Sequence, residues 1–444
     1  MQVHSMVVRL RSSRLARDGA WSVVLKTTNT LLGFLTTVLL ARLLGAEGYG
    51  VYAYAYALVT LLAMPAHSGL PNLIVRETAR GMAQGQPEAV AGAWRWAGRV
   101  VAVLSFPLVL VLGPVLVAWQ GGIHSAKGQT LAWALPLVPL IALGNLRGAA
   151  LRGLKYVVAG QLPEFVLRPG LFLMLVGGTA LFVPDSLSAS LAMALHVMAA
   201  LVAFVIGAWM LWLHTPLAVQ RARPSAETKG WLTSCALFAL ITGLGVINKQ
   251  ISTITLGAFE SPGQVGVYRV AVQMATLAAF GLEAVNLVVA PRFAELYARG
   301  NTKRLQQLVT VSTRVALAFN MVLTIVFAVF GRPVLPLVFG AEFAASYVPL
   351  LIMLLGQLIN SATGPVAFLL NMTGHERQTV QGMGVAAVLN IILNLILVPV
   401  WDIRGAAAAT AISMIVLNVL LWWRVRLVLG VNSLAFHIEV RRST

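Results

Sequence analysis

Charge is what this sequence has least of. Only 10% of its 444 residues are charged, and acids are the scarcer sign, with 14 Asp and Glu against 32 Lys and Arg. A soluble domain carries roughly 25% charged residues, so no water-soluble fold accounts for this balance. A single cysteine, Cys235, excludes an intramolecular disulfide framework and a multi-cysteine metal centre. No Gly-x-x-x-x-Gly-Lys-Ser/Thr loop is present, so direct ATP drive has no phosphate cradle. No catalytic residue, metal site or cofactor is expected.

What is abundant is apolar: hydrophobic residues make up 59% of the chain. A membrane-crossing helix needs about 20 apolar residues at 1.5 Å rise. Twelve such stretches lie near 20–42, 50–74, 96–118, 128–149, 163–183, 188–213, 231–257, 265–290, 307–330, 346–370, 379–399 and 404–427. The expected fold class is therefore an all-α polytopic membrane protein of about twelve transmembrane helices. The 331–345 stretch, broken by Pro333, Pro336 and Gly340, reads as a re-entrant turn or loop.

The basic residues sort by side. With the amino terminus in the cytoplasm, the inner segments collect Arg9, Arg11, Arg14 and Arg17, then Arg76, Arg80, Arg95 and Arg99, then Arg147, Arg152 and Lys155, and so on to Arg441 and Arg442. The outer loops hold only Arg42, Lys127, Arg332 and Arg404. That asymmetry puts both termini in the cytoplasm and favours an even number of spans. The formal charge of +18 is then mostly topology. It is spread over many loops beside anionic lipid and forms no single nucleic-acid-binding patch. The stretch after the basic amino terminus is too long for a signal-peptide core and reads as a retained first helix.

The two halves of the chain resemble each other. Ala79-Arg80-Gly81 recurs as Ala298-Arg299-Gly300, Arg95 as Arg314, and Pro114-Val115-Leu116 as Pro333-Val334-Leu335. Gly50-Val51-Tyr52 recurs as Gly266-Val267-Tyr268. Six spans per half gives both copies one orientation, hence two six-helix lobes related by a pseudo-two-fold axis along the membrane normal. The segments expected are a basic amino-terminal piece 1–19, a first lobe 20–213, a linker 214–230, a second lobe 231–427 and a basic tail 428–444. Two such lobes can rock about a central cavity, which is alternating access.

A charge kept inside a span costs roughly 2.5–3.5 kcal/mol on insertion scales and is a functional candidate by default. Four spans carry polar residues on one face at helical spacing. The first has Lys26, Thr30, Gly33 and Thr37, with Asn29 beside them. The second has Tyr49, Tyr52, Tyr56, Thr60 and His67. The seventh has Thr242, Lys249, Ser252 and Thr253, and the eighth Arg269, Gln273, Thr276 and Glu283. These are the first two spans of each half. The candidate cavity residues are Lys249, Arg269, Lys26, Arg168, Asn29, Thr30, Tyr56, Thr253 and Gln273, with Lys26 and Arg168 placed near inner helix ends. Glu283 and His67 are candidates for ion coupling or gating, and Lys249 paired with Glu283 is the structural alternative.

The run Ala41-Arg-Leu-Leu-Gly-Ala-Glu-Gly-Tyr-Gly-Val-Tyr-Ala53, with Gly69-Leu70 and Arg76-Glu77, resembles the amino-terminal signature of polysaccharide-export flippases, the O-antigen type of the MOP (MATE-like) superfamily. Gly266-Val-Tyr-Arg-Val-Ala271, Ala290-Pro-Arg-Phe-Ala-Glu-Leu-Tyr297 and Asn390-Ile-Ile-Leu-Asn394, followed by Pro399 and Gly405-Ala-Ala-Ala-Ala-Thr410, are similar to that family too. The resemblance implies a two-lobed transporter moving an undecaprenyl-diphosphate-linked oligosaccharide to the outer leaflet for O-antigen, capsule or exopolysaccharide synthesis. It implies the bacterial inner membrane as location. Membrane lipids, a polysaccharide polymerase, chain-length machinery and a coupling H+ or Na+ are the implied partners, with no nucleic acid. Many relatives carry an acid in the seventh span where this chain has Ser252, which speaks against acid-dependent coupling there.

The chemistry agrees with that role. A diphosphate does not cross about 30 Å of hydrocarbon unaided; an internal Lys or Arg supplies counter-charge while hydroxyls and amides bind sugars. The alternatives are a MATE-type cation or drug antiporter and a lipid II flippase. An enzyme of glycan assembly would be expected to show clustered acids, whereas the outer loops hold scattered Glu47, Asp185, Glu260, Glu342 and Asp402.

Overall fold

The computed structural model describes the backbone over residues 2–67, 69–183, 186–225 and 229–436, and the side chains over the same ranges except 2–20 and some positions within 229–237 and 280–291. The side chains of Arg9, Arg11, Arg14 and Arg17, Asp185, part of the linker, and the tail with Arg441 and Arg442 lie outside the described residues.

The described residues are helical, without strands. Among the described residues, nine helices are long and apolar enough to cross a membrane. The difference from the expected twelve is one of segmentation. The helix Gln2–His67 runs through two expected spans with a break at Gly45, and Glu376–Leu429 runs through two more with a break at Asp402. The expected span 231–257 corresponds to the helix Lys229–Phe259. Large apolar side chains stay uncovered along these helices, among them Phe106, Trp119, Phe182, Val322 and Leu337. Such a surface needs hydrocarbon around it, and the chain is a multi-pass membrane protein.

The 331–345 stretch departs from expectation. Thr302–Phe339 is one helix that carries Pro333 and Pro336 within it, and a 3-10 turn, Ala341–Ser346, follows. Proline is tolerated inside membrane helices because neighbouring groups satisfy the freed backbone.

The chain divides into two compact units, one of residues 1–44 and 55–246, the other of 45–54 and 247–444. The division begins at Gly45, whose φ of 66° and ψ of −175° suit glycine alone. Residues 45–54, by sequence part of the first half, belong to the second unit. There Glu342 accepts a 2.7 Å hydrogen bond from the Ala46 amide, so the carboxylate satisfies a donor that the break exposes. A Cβ on Gly50 would strike the Pro262 carbonyl, and one on Gly266 would strike that of Ala46. The two repeat-equivalent glycines thus meet reciprocally, as small residues do where membrane helices pack backbone to backbone.

In the first unit, Leu70, Leu73, Ile74, Ala93, Ala97, Ala149 and Trp231 form a buried core. In the second, Phe293, Leu305, Val309, Leu369, Leu370, Leu421 and Val425 do so. The start of the expected basic tail packs down. After the left-handed Gly430 the chain turns back, burying Val431, Ser433 and Ala435. Asn432 exchanges hydrogen bonds with Gln306 (2.6 and 2.8 Å) and accepts from Trp422 Nε1 (3.0 Å). Arg314 Nε donates to the Ala435 carbonyl, and the Ala435 amide to that of Ala362, each at 3.0 Å.

Candidate functional site

The strongest charged constellation inside a span lies in the first unit. Arg147, on the helix Leu137–Gly153, has a side chain only 4% exposed. Its Nη1 donates to the carbonyls of Ala203 and Phe204 at 3.1 Å, and its guanidinium lies 5.8 Å from the centre of the Phe204 ring. Its Nη2 reaches Glu164 Oε1 at 3.2 Å, and Glu164 Oε2 receives Arg168 Nη1 at 3.2 Å. One carboxylate therefore bridges two guanidiniums.

Local sequence explains how this fits. A Cβ on Gly207 would overlap the Arg147 guanidinium, and one on Gly144 would overlap the Glu164 carboxylate, so both helices give way at the pair. Glu164 stands in a π-helical turn, Pro163–Leu167. Such turns re-aim side chains and often occur at functional sites.

The sequence reading placed Arg168 near an inner helix end. The span is instead Val157–Phe182, which puts Arg168 near its middle, too deep to snorkel easily. One turn on, Phe172 stacks on His196 with ring centres 4.5 Å apart and planes at 16°, and Tyr56 stacks on the same imidazole at 5.2 Å and 27°. Tyr56, His196, Phe172, Arg168, Glu164 and Arg147 thus form one continuous polar and aromatic column.

The remaining predicted residues divide by unit. Lys26, Asn29 and Thr30 are half-buried in the first unit, and the Thr30 hydroxyl is turned to the Lys26 carbonyl at 3.0 Å. His67 is buried with Nδ1 2.6 Å from the Ala63 carbonyl of its own helix. In the second unit Lys249 and Glu283 are exposed, and no ion pair among the described residues joins them. Arg269 and Gln273 are half-buried, and Thr253 is buried with no hydrogen bond to its hydroxyl among the described residues.

Thr30, Thr37, Thr60, Thr242 and Thr276 each donate to the carbonyl one turn back. These hydroxyls are satisfied by their own helices and do not require a polar ligand.

The second unit also assembles uncharged side-chain networks. Tyr268 Oη and Ser252 Oγ both meet Thr410 Oγ1, at 3.0 and 2.9 Å. Asn390 Nδ2 donates to the Asn248 carbonyl at 3.3 Å, and Asn394 Nδ2 to Asn390 at 2.8 Å. Asn320 Nδ2 donates to Gln357 O and Ser361 Oγ at 2.9 and 2.8 Å.

Sequence reasoning missed Glu164, Arg147 and His196. The positive-inside pattern groups Arg147 with Arg152 and Lys155 at the inner side, near the end of the expected span 128–149. The Glu164 to Arg168 spacing of four was the available signal for their pairing.

Comparison with known proteins agrees with this architecture. Residues 15–297 match the family described as polysaccharide biosynthesis protein. A probable low-salt glycan biosynthesis flippase of Haloferax volcanii is 26% identical over 417 residues, 91% of this chain and 82% of that protein. Among solved structures, an inward-facing multidrug resistance MATE transporter of the MOP superfamily superposes with a TM-score of 0.75 at 14% identity, over 90% of this chain and 94% of that one. The lipid II flippase MurJ in an inward closed conformation gives 0.74 at 13% identity, over 92% and 87%. With the family match covering more than half of its length, this chain belongs to the polysaccharide biosynthesis protein family and has the two-lobed all-helical fold of MOP-superfamily transporters.

Proposed function

We propose that this protein is a flippase that carries an oligosaccharide linked to undecaprenyl diphosphate across the bacterial cytoplasmic membrane by alternating access, for assembly of a surface polysaccharide. Both termini are cytoplasmic in this reading, and the protein moves its cargo without making or breaking bonds in it. The observation that carries the proposal is a mid-span arginine, Arg168, locked by Glu164 to a buried Arg147. A cationic group at that depth is costly, and a diphosphate headgroup is the ligand whose transfer it would repay. The family membership and the glycan-flippase relative support a glycan as the rest of the cargo.

The other members of the proposed site are Lys249, Arg269, Lys26, Asn29, Thr30, Tyr56, Thr253 and Gln273. Lys and Arg meet phosphate; amides, hydroxyls and the Tyr56 ring meet sugar. The polyprenyl tail stays in the bilayer, so only the headgroup needs a polar path. Glu283 and His67 are each retained as candidates for H+ or Na+ coupling or for gating. A polysaccharide polymerase and chain-length machinery would take the cargo at the outer leaflet.

The test is mass spectrometry of lipid-linked glycans in source cells with the gene deleted, then restored as wild type, Arg168→Ala or Lys249→Ala. The proposal expects a complete repeat unit to accumulate on undecaprenyl diphosphate on deletion, wild type to clear it, and both variants to clear it poorly at normal membrane levels. An unchanged glycolipid pool after deletion would overturn the flippase reading. Full clearance by Lys249→Ala would remove that residue from the site.

A further inference from the structure

We infer that Glu164 is a positioning residue that aims the Arg168 guanidinium at the anionic headgroup, with Arg147 as its fixed anchor; this rests on the flippase reading above. The three side chains form a graded chain. Arg147 is 4% exposed, Glu164 16% and Arg168 21%, so the series opens toward Arg168. Arg147 is held at both ends, by two backbone carbonyls and by the carboxylate. Nothing in that arrangement lets Arg147 swing to a ligand. Its chemistry is to hold Glu164, and that of Glu164 is to hold Arg168.

Orientation matters because an arginine grips phosphate through a planar fork, which binds strongly only when aimed. An arginine on a long flexible stem loses much rotamer entropy when it first meets a ligand. A carboxylate that already fixes one Nη takes that cost during folding. The π-helical turn at Pro163–Leu167 and the missing side chains of Gly144 and Gly207 are what bring carboxylate and anchor to the right height.

A mere charge-balancing role makes the opposite prediction, and that separates the two. Glu164→Gln removes a negative charge beside the phosphate. If Glu164 only balanced charge, an anion would bind the variant more tightly. If Glu164 aims Arg168, the variant binds more weakly despite its more positive site.

The experiment measures binding of farnesyl diphosphate, and of farnesyl monophosphate for comparison, to the full-length purified protein by isothermal titration, with thermal melting as the control for folding. Expected are roughly tenfold weaker diphosphate binding for Glu164→Gln, the size of one charge-assisted hydrogen bond, and a reduced preference for diphosphate over monophosphate. Partial recovery is expected in Glu164→Asp, and the deepest loss in Arg168→Ala. Equal or tighter binding by folded Glu164→Gln would overturn the inference and leave the flippase reading standing. Unchanged binding by Arg168→Ala would remove Arg168 from the headgroup and the inference with it. Wild-type protein that binds neither probe would overturn both. Should Glu164→Gln not fold, Glu164→Asp carries the same readout, with wild-type diphosphate preference at lowered thermal stability counting against the inference.

Discussion

The interiors of the two units differ in kind. The first holds ions: two guanidiniums and a carboxylate, beside a stacked histidine. In the second, the buried side-chain networks among the described residues join uncharged donors and acceptors: Ser252, Tyr268 and Thr410, then Asn248, Asn390 and Asn394, then Asn320 and Ser361. An uncharged network in hydrocarbon is worth about 0.6 kcal/mol per hydrogen bond and glues helices together. A charged cluster costs several kcal/mol to bury and is weak grounds for stability. The uncharged networks of the second unit are therefore read as packing, and the charged cluster of the first as kept for a ligand.

Arg168→Ala should cut export of the lipid-linked glycan at least tenfold, the loss expected for one strong charge-assisted contact, while membrane levels of the protein stay normal. Glycolipid accumulation in cells reads this directly. Next is Gly207→Ala, whose new methyl would overlap the Arg147 guanidinium. Breaking a buried pair costs about 3–5 kcal/mol, and a large fall in melting temperature in detergent is expected. Gly243→Ala, where the added Cβ meets the flexible end of Met64, should cost far less.

In the second unit Thr410→Val removes the hydroxyl that joins Ser252 and Tyr268. The expected cost is about 1–2 kcal/mol in stability with export nearly unchanged. Loss of export at normal stability would contradict the division between the two interiors.

The smallest effect belongs to Glu260, between the helices Lys229–Phe259 and Pro262–Ala298. Partial burial and the neighbouring Asp402, by charge and by hydrogen bond, push its carboxyl above the ordinary value of 4.5. A raised acid binds its proton more tightly when folded. Its contribution to stability is thus fully present below the ordinary value and is lost as pH rises through the raised one. Glu260→Gln should flatten that slight acid-side gain in melting temperature.

Much of this was legible in the sequence. The twelve apolar stretches and the arginine-rich loops gave the class, and Gly50-Val51-Tyr52 with Gly266-Val267-Tyr268 gave the repeat, whose glycines meet in the structure. The threonine stripes misled because a hydroxyl on a helix can turn to its own backbone, and spacing does not reveal which way it turns. Arg147 was misread because a charge near a helix end looks like a loop charge. Only the fold shows that Ala203 and Phe204 carbonyls and Glu164 wait for it. The Gly430 turn, and the docking of Asn432 on Gln306, depend on pairs far apart in the chain and leave no local pattern.

The most direct test of the central claim follows the cargo itself across a membrane. Proteoliposomes loaded with a polyprenyl-diphosphate-linked oligosaccharide from the source cell would be probed with an external glycosidase that reaches only outward-facing headgroups. With wild-type protein the account predicts that the protected inner pool becomes cleavable over time, and that with Arg168→Ala or with no protein it stays protected. A pool that stays protected with folded, correctly inserted wild-type protein, under an imposed H+ or Na+ gradient of either direction, would contradict it.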